Sequence, residues 1–115
     1  MIEPEAQALC GYRVMWLFVM FDLPTETKKQ RKDASIFRKD LMKDGFVMHQ
    51  FSVYIRHCAS LESANVHINR VKGMVPDEGF VSIVKITDVQ YGQTINFTGK
   101  LRKPPPQEFV QLELF

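Results

Sequence analysis

The chain has 115 residues, the length of one domain, and enough of it to bury roughly two-thirds of its unfolded surface. Hydrophobic residues make up 45% and charged residues 24%, which excludes global disorder, and no apolar run is long enough to span a membrane. Two cysteines exclude a disulfide scaffold or a thiolate zinc site, and a net charge of +2 does not by itself point to nucleic acid. The opening Met-Ile-Glu-Pro-Glu lacks a basic n-region, so it does not read as a signal peptide. Cys10 and Cys58 are expected to be reduced and structural, in a cytoplasmic protein.

In chain order, residues 1–11 read as a loose leader. Tyr12 to Asp22 then reads as a strand covered on both sides, because both parities are apolar: Val14, Trp16, Phe18 and Met20 on one, Met15, Leu17, Val19 and Phe21 on the other. Leu23-Pro24-Thr25 ends it. A helix is predicted from about Thr27 to Asp44, capped by Thr25 or Thr27, with Ala34, Phe37 and Leu41 as its buried stripe and Gly45 as its left-handed stop.

Phe46 to Cys58 is β-branched and aromatic and reads as strand, with Val47, Phe51, Val53 and Ile55 as the apolar parity. Ser60 caps a second helix whose stripe runs Leu61, Ala64, Ile68, Val71, Val75. Pro76-Asp77-Glu78-Gly79 is a turn, Phe80 to Ile86 a strand, Asp88 a polar break, and Thr94 to Phe97 a candidate short strand. Pro104-Pro105-Pro106 makes residues 99–115 a basic, stiff spacer followed by an interaction tail.

This order predicts an α/β sandwich with helices on one face of a sheet. A ferredoxin-like βαββαβ arrangement over residues 12–98 fits if Phe46–Cys58 is two strands with a bend near Gln50, although no Gly, Pro or Asn marks a turn there. Helices on one face leave the other open, yet the first strand is apolar on both. Either the tail or a second copy of the chain is expected to cover it, and a symmetric homodimer is the commoner solution.

The charge is unevenly spread. Lys28 to Lys43 holds seven basic residues and two acidic ones, and the tail adds Lys100, Arg102 and Lys103. A phosphate backbone could use such a face; a merely solvated helix surface is the competing reading. His49, His57 and His67 fall in different elements without metal spacing and read as surface or satisfied histidines. Asp22 stands out because a carboxylate ending an apolar strand must meet water, a cation or a hydrogen-bond donor. It could hold Mg²⁺ through oxygen, best with a second copy of itself near a dimer axis; otherwise it caps the Pro24–Thr27 turn or the first helix.

Val19-Met20-Phe21-Asp22-Leu23-Pro24-Thr25-Glu26-Thr27, then Arg31, Phe37-Arg38, Gly45-Phe46-Val47-Met48 and Gln50-Phe51-Ser52-Val53-Tyr54 together resemble the Cas-two family of CRISPR adaptation proteins. The Phe-Asp-Leu-Pro-Thr-Glu-Thr wording is similar to the type II branch, found beside the Cas-nine effector. The resemblance covers about residues 12–98. It implies a ferredoxin-like homodimer with sheets facing each other, which bridges two dimers of the Cas-one integrase in spacer acquisition. The dimer would hold double-stranded prespacer DNA and meet the CRISPR repeat. The resemblance also implies a Mg²⁺-dependent endoribonuclease or DNase activity, with Asp22 as catalytic metal ligand. Many members carry a second acid just downstream of that aspartate; here only Glu26 follows, so the scaffold role is carried over ahead of hydrolysis.

Phosphate contacts are expected from Lys28, Lys29, Arg31, Lys32, Arg38 and Lys39 on the first helix, and from Arg13 and Arg56, without reading of base sequence. The final Gln111-Leu112-Glu113-Leu114-Phe115 supports three readings. Its alternation could add a strand to a partner's sheet, it could pack on this domain or its dimer mate, or Gln111, Leu112, Leu114 and Phe115 could dock on the replication sliding clamp.

Overall fold

The computed structural model describes residues 14–99. Met15–Asp22 forms β1, the strand to which the rest of the fold is attached. It pairs antiparallel with both Val53–Cys58 (β3) and Phe80–Thr87 (β4), so it is central, which explains its two apolar parities. Val47–Gln50 (β2) lies outside β3, giving the sheet order β2-β3-β1-β4. With the helices Lys28–Lys43 (α1) and Leu61–Met74 (α2), this is the expected ferredoxin-like βαββαβ order.

Each helix end follows from local chemistry. Thr27 caps α1 in a capping box: its hydroxyl accepts from the Gln30 amide and Gln30 Oε1 accepts from the Thr27 amide. At the other end the Gly45 amide bonds to Met42 and the Phe46 amide to Leu41, a Schellman arrangement that needs the positive φ of Gly45, +93°. Phe46 and Leu41 both enter the core, so the stop signal also seats the next strand. Ser60 caps α2 as expected. Gly79, at φ +110°, lets the start of β4 approach β1, since a Cβ there would come within 2.5 Å of Leu23.

Between sheet and helices lies the main core: Met15, Leu17, Val19 and Phe21 of β1 against Phe37, Leu41, Ala64 and Val71. On the other face Trp16 and Ile55 form a second cluster with Val14, Phe18, Val47, Ile86 and Tyr91. Among the described residues, no helix is long and apolar enough to cross a membrane.

Several expectations need correction. The opposite sheet face is covered in part by this chain itself: Asp88–Gly92 is a short helix (α3), where the sequence suggested only a polar break. Its Tyr91 stacks on Trp16 at 3.8 Å, and Asp88 Oδ1 accepts from the Trp16 indole at 2.7 Å. Thr94–Phe97 is not a strand, because no sheet edge lies against it, and Phe97 is 90% exposed. Phe51 does not join the inward parity. A register irregularity at Met48–Gln50 and a turn at Phe51–Ser52 shift the alternation and leave Phe51 72% exposed. Val75 lies past the end of α2, extended ahead of Pro76, and is exposed; His67 takes its place in the buried stripe. The leader, Arg13, Cys10 and the tail lie outside the described residues.

Candidate nucleic-acid interface and strand-end carboxylate

The packing of α1 sorts its charges. Ala34, Phe37 and Leu41 must face the sheet. At 100° per residue, Lys28, Arg31, Lys32, Arg38, Lys39 and Lys43 then fall within an arc of about 140°, over a length of about 22 Å. Asp33 and Asp40 fall on the flank toward α2, where Asp33 lines a groove with Met74, Pro76 and Asp77. The outward arc of α1 therefore carries no carboxylate, which the sequence tally of seven bases and two acids conceals.

The predicted contact residues differ in how free they are. Lys28, Lys32 and Lys39 are exposed and make no hydrogen bond or ion pair with another described residue. Lys29 pairs with Asp33 at 2.9 Å, and that hydrogen bond raises its pKa. Arg31 Nη1 donates to the carbonyls of Thr25 and Glu26, bracing the loop before α1. Arg38 lies over the ring of Phe51 at 4.5 Å and that of Phe21 at 5.4 Å. Arg56 is committed elsewhere: Nε donates to the Asp44 carbonyl and Nη1 to His57, both at 2.7 Å, so it closes the C-terminus of α1. Lys43 was not singled out from the sequence and completes the arc; its spacing of four from Lys39 is the signal.

Asp22 lies at the end of β1, on the parity of Trp16, Phe18 and Met20 and thus on the face away from α1. It is exposed, and its carboxylate bonds to no other described residue; Thr27, not Asp22, caps α1. Among the described residues, no group of three or more His, Cys, Asp and Glu side chains is placed to hold a metal ion. Asp22 therefore offers a single carboxylate among the described residues, and a Mg²⁺ held there would complete its oxygen shell from waters, a substrate or a second molecule. Around it the open face shows Met20, Phe80 and Val84 exposed, and β4 is an edge strand.

The histidines follow the satisfied reading. His67 is buried beside Asp44, His57 meets the edge of Trp16, and His49 lies against Phe18, where burial lowers its pKa. Burial also raises the Cys58 thiol pKa, as suits a structural cysteine.

A profile of the family described as CRISPR associated protein Cas2 matches residues 15–94. A Parvibaculum lavamentivorans protein named CRISPR-associated endoribonuclease Cas2 is 52% identical over 101 residues, 88% of this chain and 100% of that one. A Flavobacterium psychrophilum protein of the same name is 51% identical over 115 residues, the whole of both chains. Among solved structures, one described as the crystal structure of Cas2 superposes with a TM-score of 0.53 at 17% identity, covering 81% of this chain and 98% of the other, which speaks to the fold. With this sheet order, the Phe21-Asp22-Leu23-Pro24 strand end and matches spanning both helices, the chain belongs to the CRISPR-associated Cas2 family.

Proposed function

We propose that the chain acts in CRISPR spacer acquisition as a homodimer that bridges Cas-one integrase dimers and holds double-stranded prespacer DNA through backbone contacts. The observation that carries this reading is the carboxylate-free cationic arc on α1, long enough for several phosphates of one duplex. A duplex bound this way is positioned, not read. The apolar remainder of the open sheet face, around Met20, Phe80 and Val84, suits a second copy set sheet to sheet. Partner contact through Gln111, Leu112, Leu114 and Phe115, to the integrase or to the sliding clamp, belongs to the same proposal. The deciding experiment is co-purification with the integrase followed by integration of a prespacer into a repeat. Integration unaffected by omitting this chain defeats the reading. Pull-down on purified sliding clamp, comparing the full chain with one ending at Pro106, tests the tail.

A second reading is a metal-dependent endonuclease at Asp22. It is favoured by the endoribonuclease names of the relatives and by the exposed Asp22 carboxylate, which bonds to no other described residue. Magnesium there would supply charge neutralisation and an activated water; this chain's part would be to offer Asp22 toward a second copy's Asp22. Cleavage of RNA or DNA with and without Mg²⁺, in the wild type and Asp22→Asn, decides it.

A further inference from the structure

Where α1 packs against the sheet edge at β2, a strip of apolar side chains faces outward. Arg38 lies 4.5 Å from the centroid of Phe51, so this flank of α1 faces the β2–β3 turn. Met42 follows Arg38 by one helical turn on the same flank. Met48 stands opposite buried Tyr54 in the β2–β3 register, which puts it on the helix side of the sheet. Met42 is 51% exposed, Met48 44% and Phe51 72%, too much apolar surface in one place for chance. The outer side of β2 pairs with no described strand, and Val47–Gln50 carries neither proline nor a permanent charge to guard it.

The two ends of the strip differ in charge. Arg38 and Lys39 precede Met42 by four and three residues and are its helical neighbours. Asp22 closes the Phe51 end, because the Phe21 amide bonds to the Ser52 carbonyl and brings the end of β1 beside the turn. An occupant therefore needs apolar side chains along its length and a carboxylate toward Met42. Residues 107–115 have that composition: Phe109, Val110, Leu112, Leu114 and Phe115, with Glu108, Glu113 and no basic residue. Fully extended, the stretch from Gly99 to Phe109 spans about 30 Å, against about 26 Å for the length of β1, so the segment reaches across the sheet. The open sheet face around Met20, Phe80 and Val84 is apolar too, but the charge beside it is Asp22, which repels an acidic segment. We infer that residues 109–115 of this chain lie along the α1–β2 edge over Met42, Met48 and Phe51, with Glu113 toward Arg38 and Lys39. Tethering keeps the segment at an effective concentration on the order of millimolar, so a modest contact suffices. A partner that takes the tail must first lift it from this strip, whether or not α1 binds DNA.

The test uses the full chain with ¹³C in its methionine methyl groups. Leu112→Ser combined with Leu114→Ser is expected to shift the Met42 and Met48 signals and to leave Met15 and Met74 in place. A spin label on Gln111→Cys, with Cys10→Ser and Cys58 shielded by burial, is expected to remove most of the Met42 and Met48 intensity and to spare Met74. Glu113→Lys is expected to restore part of it. Met42 and Met48 signals that stay put in the serine variant overturn the inference, as does a spin label that broadens all methionines alike. Shifts at Met20 in place of Met42 and Met48 would put the tail on the open sheet face and also overturn it. So would equal broadening when spin label and isotope sit on different chains, which would make the occupant a second copy's tail.

Discussion

His67 Nδ1 lies 2.7 Å from Asp44 Oδ2, and through this contact the C-cap residue of α1 grips the buried face of α2. Arg70 donates to the other carboxylate oxygen at 2.9 Å, and Arg56 reaches the Asp44 carbonyl from β3. One residue thus joins both helices to the sheet. The carboxylate is 7% exposed, so its partners are what make its burial tolerable.

Replacing Asp44 with Asn should destabilise the chain by about 1–3 kcal/mol, because it removes the charge that the buried His67 and the exposed Arg70 share. The loss is expected to depend on pH. Burial alone would raise the Asp44 pKa, but hydrogen bonds from His67 and Arg70 outweigh it and hold the carboxyl below its ordinary 3.8. A depressed folded pKa contributes stability in full above the unfolded value and loses it as pH falls through the folded value. Urea midpoints of wild type and variant should therefore differ most near pH 7 and converge below pH 4; a constant gap would contradict the ion pair.

Tyr91 and Asp88 hold α3 onto the single tryptophan, Trp16. Tyr91→Ala should cost about 1–2 kcal/mol and shift Trp16 emission to longer wavelength as water reaches the indole. Unchanged emission would mean that α3 does not cover Trp16 in solution.

Lys28, Lys32 and Lys39 bond to nothing described, so changing all three to Gln should leave the melting temperature within about 2 °C of the wild type. Duplex affinity should fall, and the slope of log K against log salt should shrink by about three. A slope that does not change places the phosphates elsewhere.

Asp22→Asn should preserve fold, self-association and integration, since the carboxylate takes part in no hydrogen bond with a described residue. Any Mg²⁺-dependent cleavage should be lost. Persistence of cleavage at the wild-type rate in the purified variant would remove Asp22 from that chemistry.

Gly45→Ala should cost about 1–3 kcal/mol. The position needs φ +93°, and an added Cβ would meet the Arg56 guanidinium at 3.0 Å. Thermal unfolding measures it; an unchanged midpoint would show that the Schellman stop is not needed.

What was legible in the chain beforehand was what depends on neighbours in sequence. Thr27, Gly45 and Ser60 bound the helices by local hydrogen bonding and backbone freedom, and Ala34, Phe37 and Leu41 repeat at helical spacing whatever lies opposite. The double-sided strand Met15–Asp22 declared its central place because only a strand flanked by two others, with both faces covered, tolerates that pattern. Phe51 was misplaced because a register irregularity at Met48–Gln50 and the turn at Phe51–Ser52 break the alternation there, while Val47 and Ile55 keep one face, and nothing local announces the break. His67 and Asp44, or Trp16, Tyr91 and Asp88, are far apart in the chain, so only folding could pair them. The same holds for Arg38, Arg56 and Lys28, which look alike as basic residues. Packing alone spends one on a ring, one on a helix end, and leaves the third for solvent or phosphate.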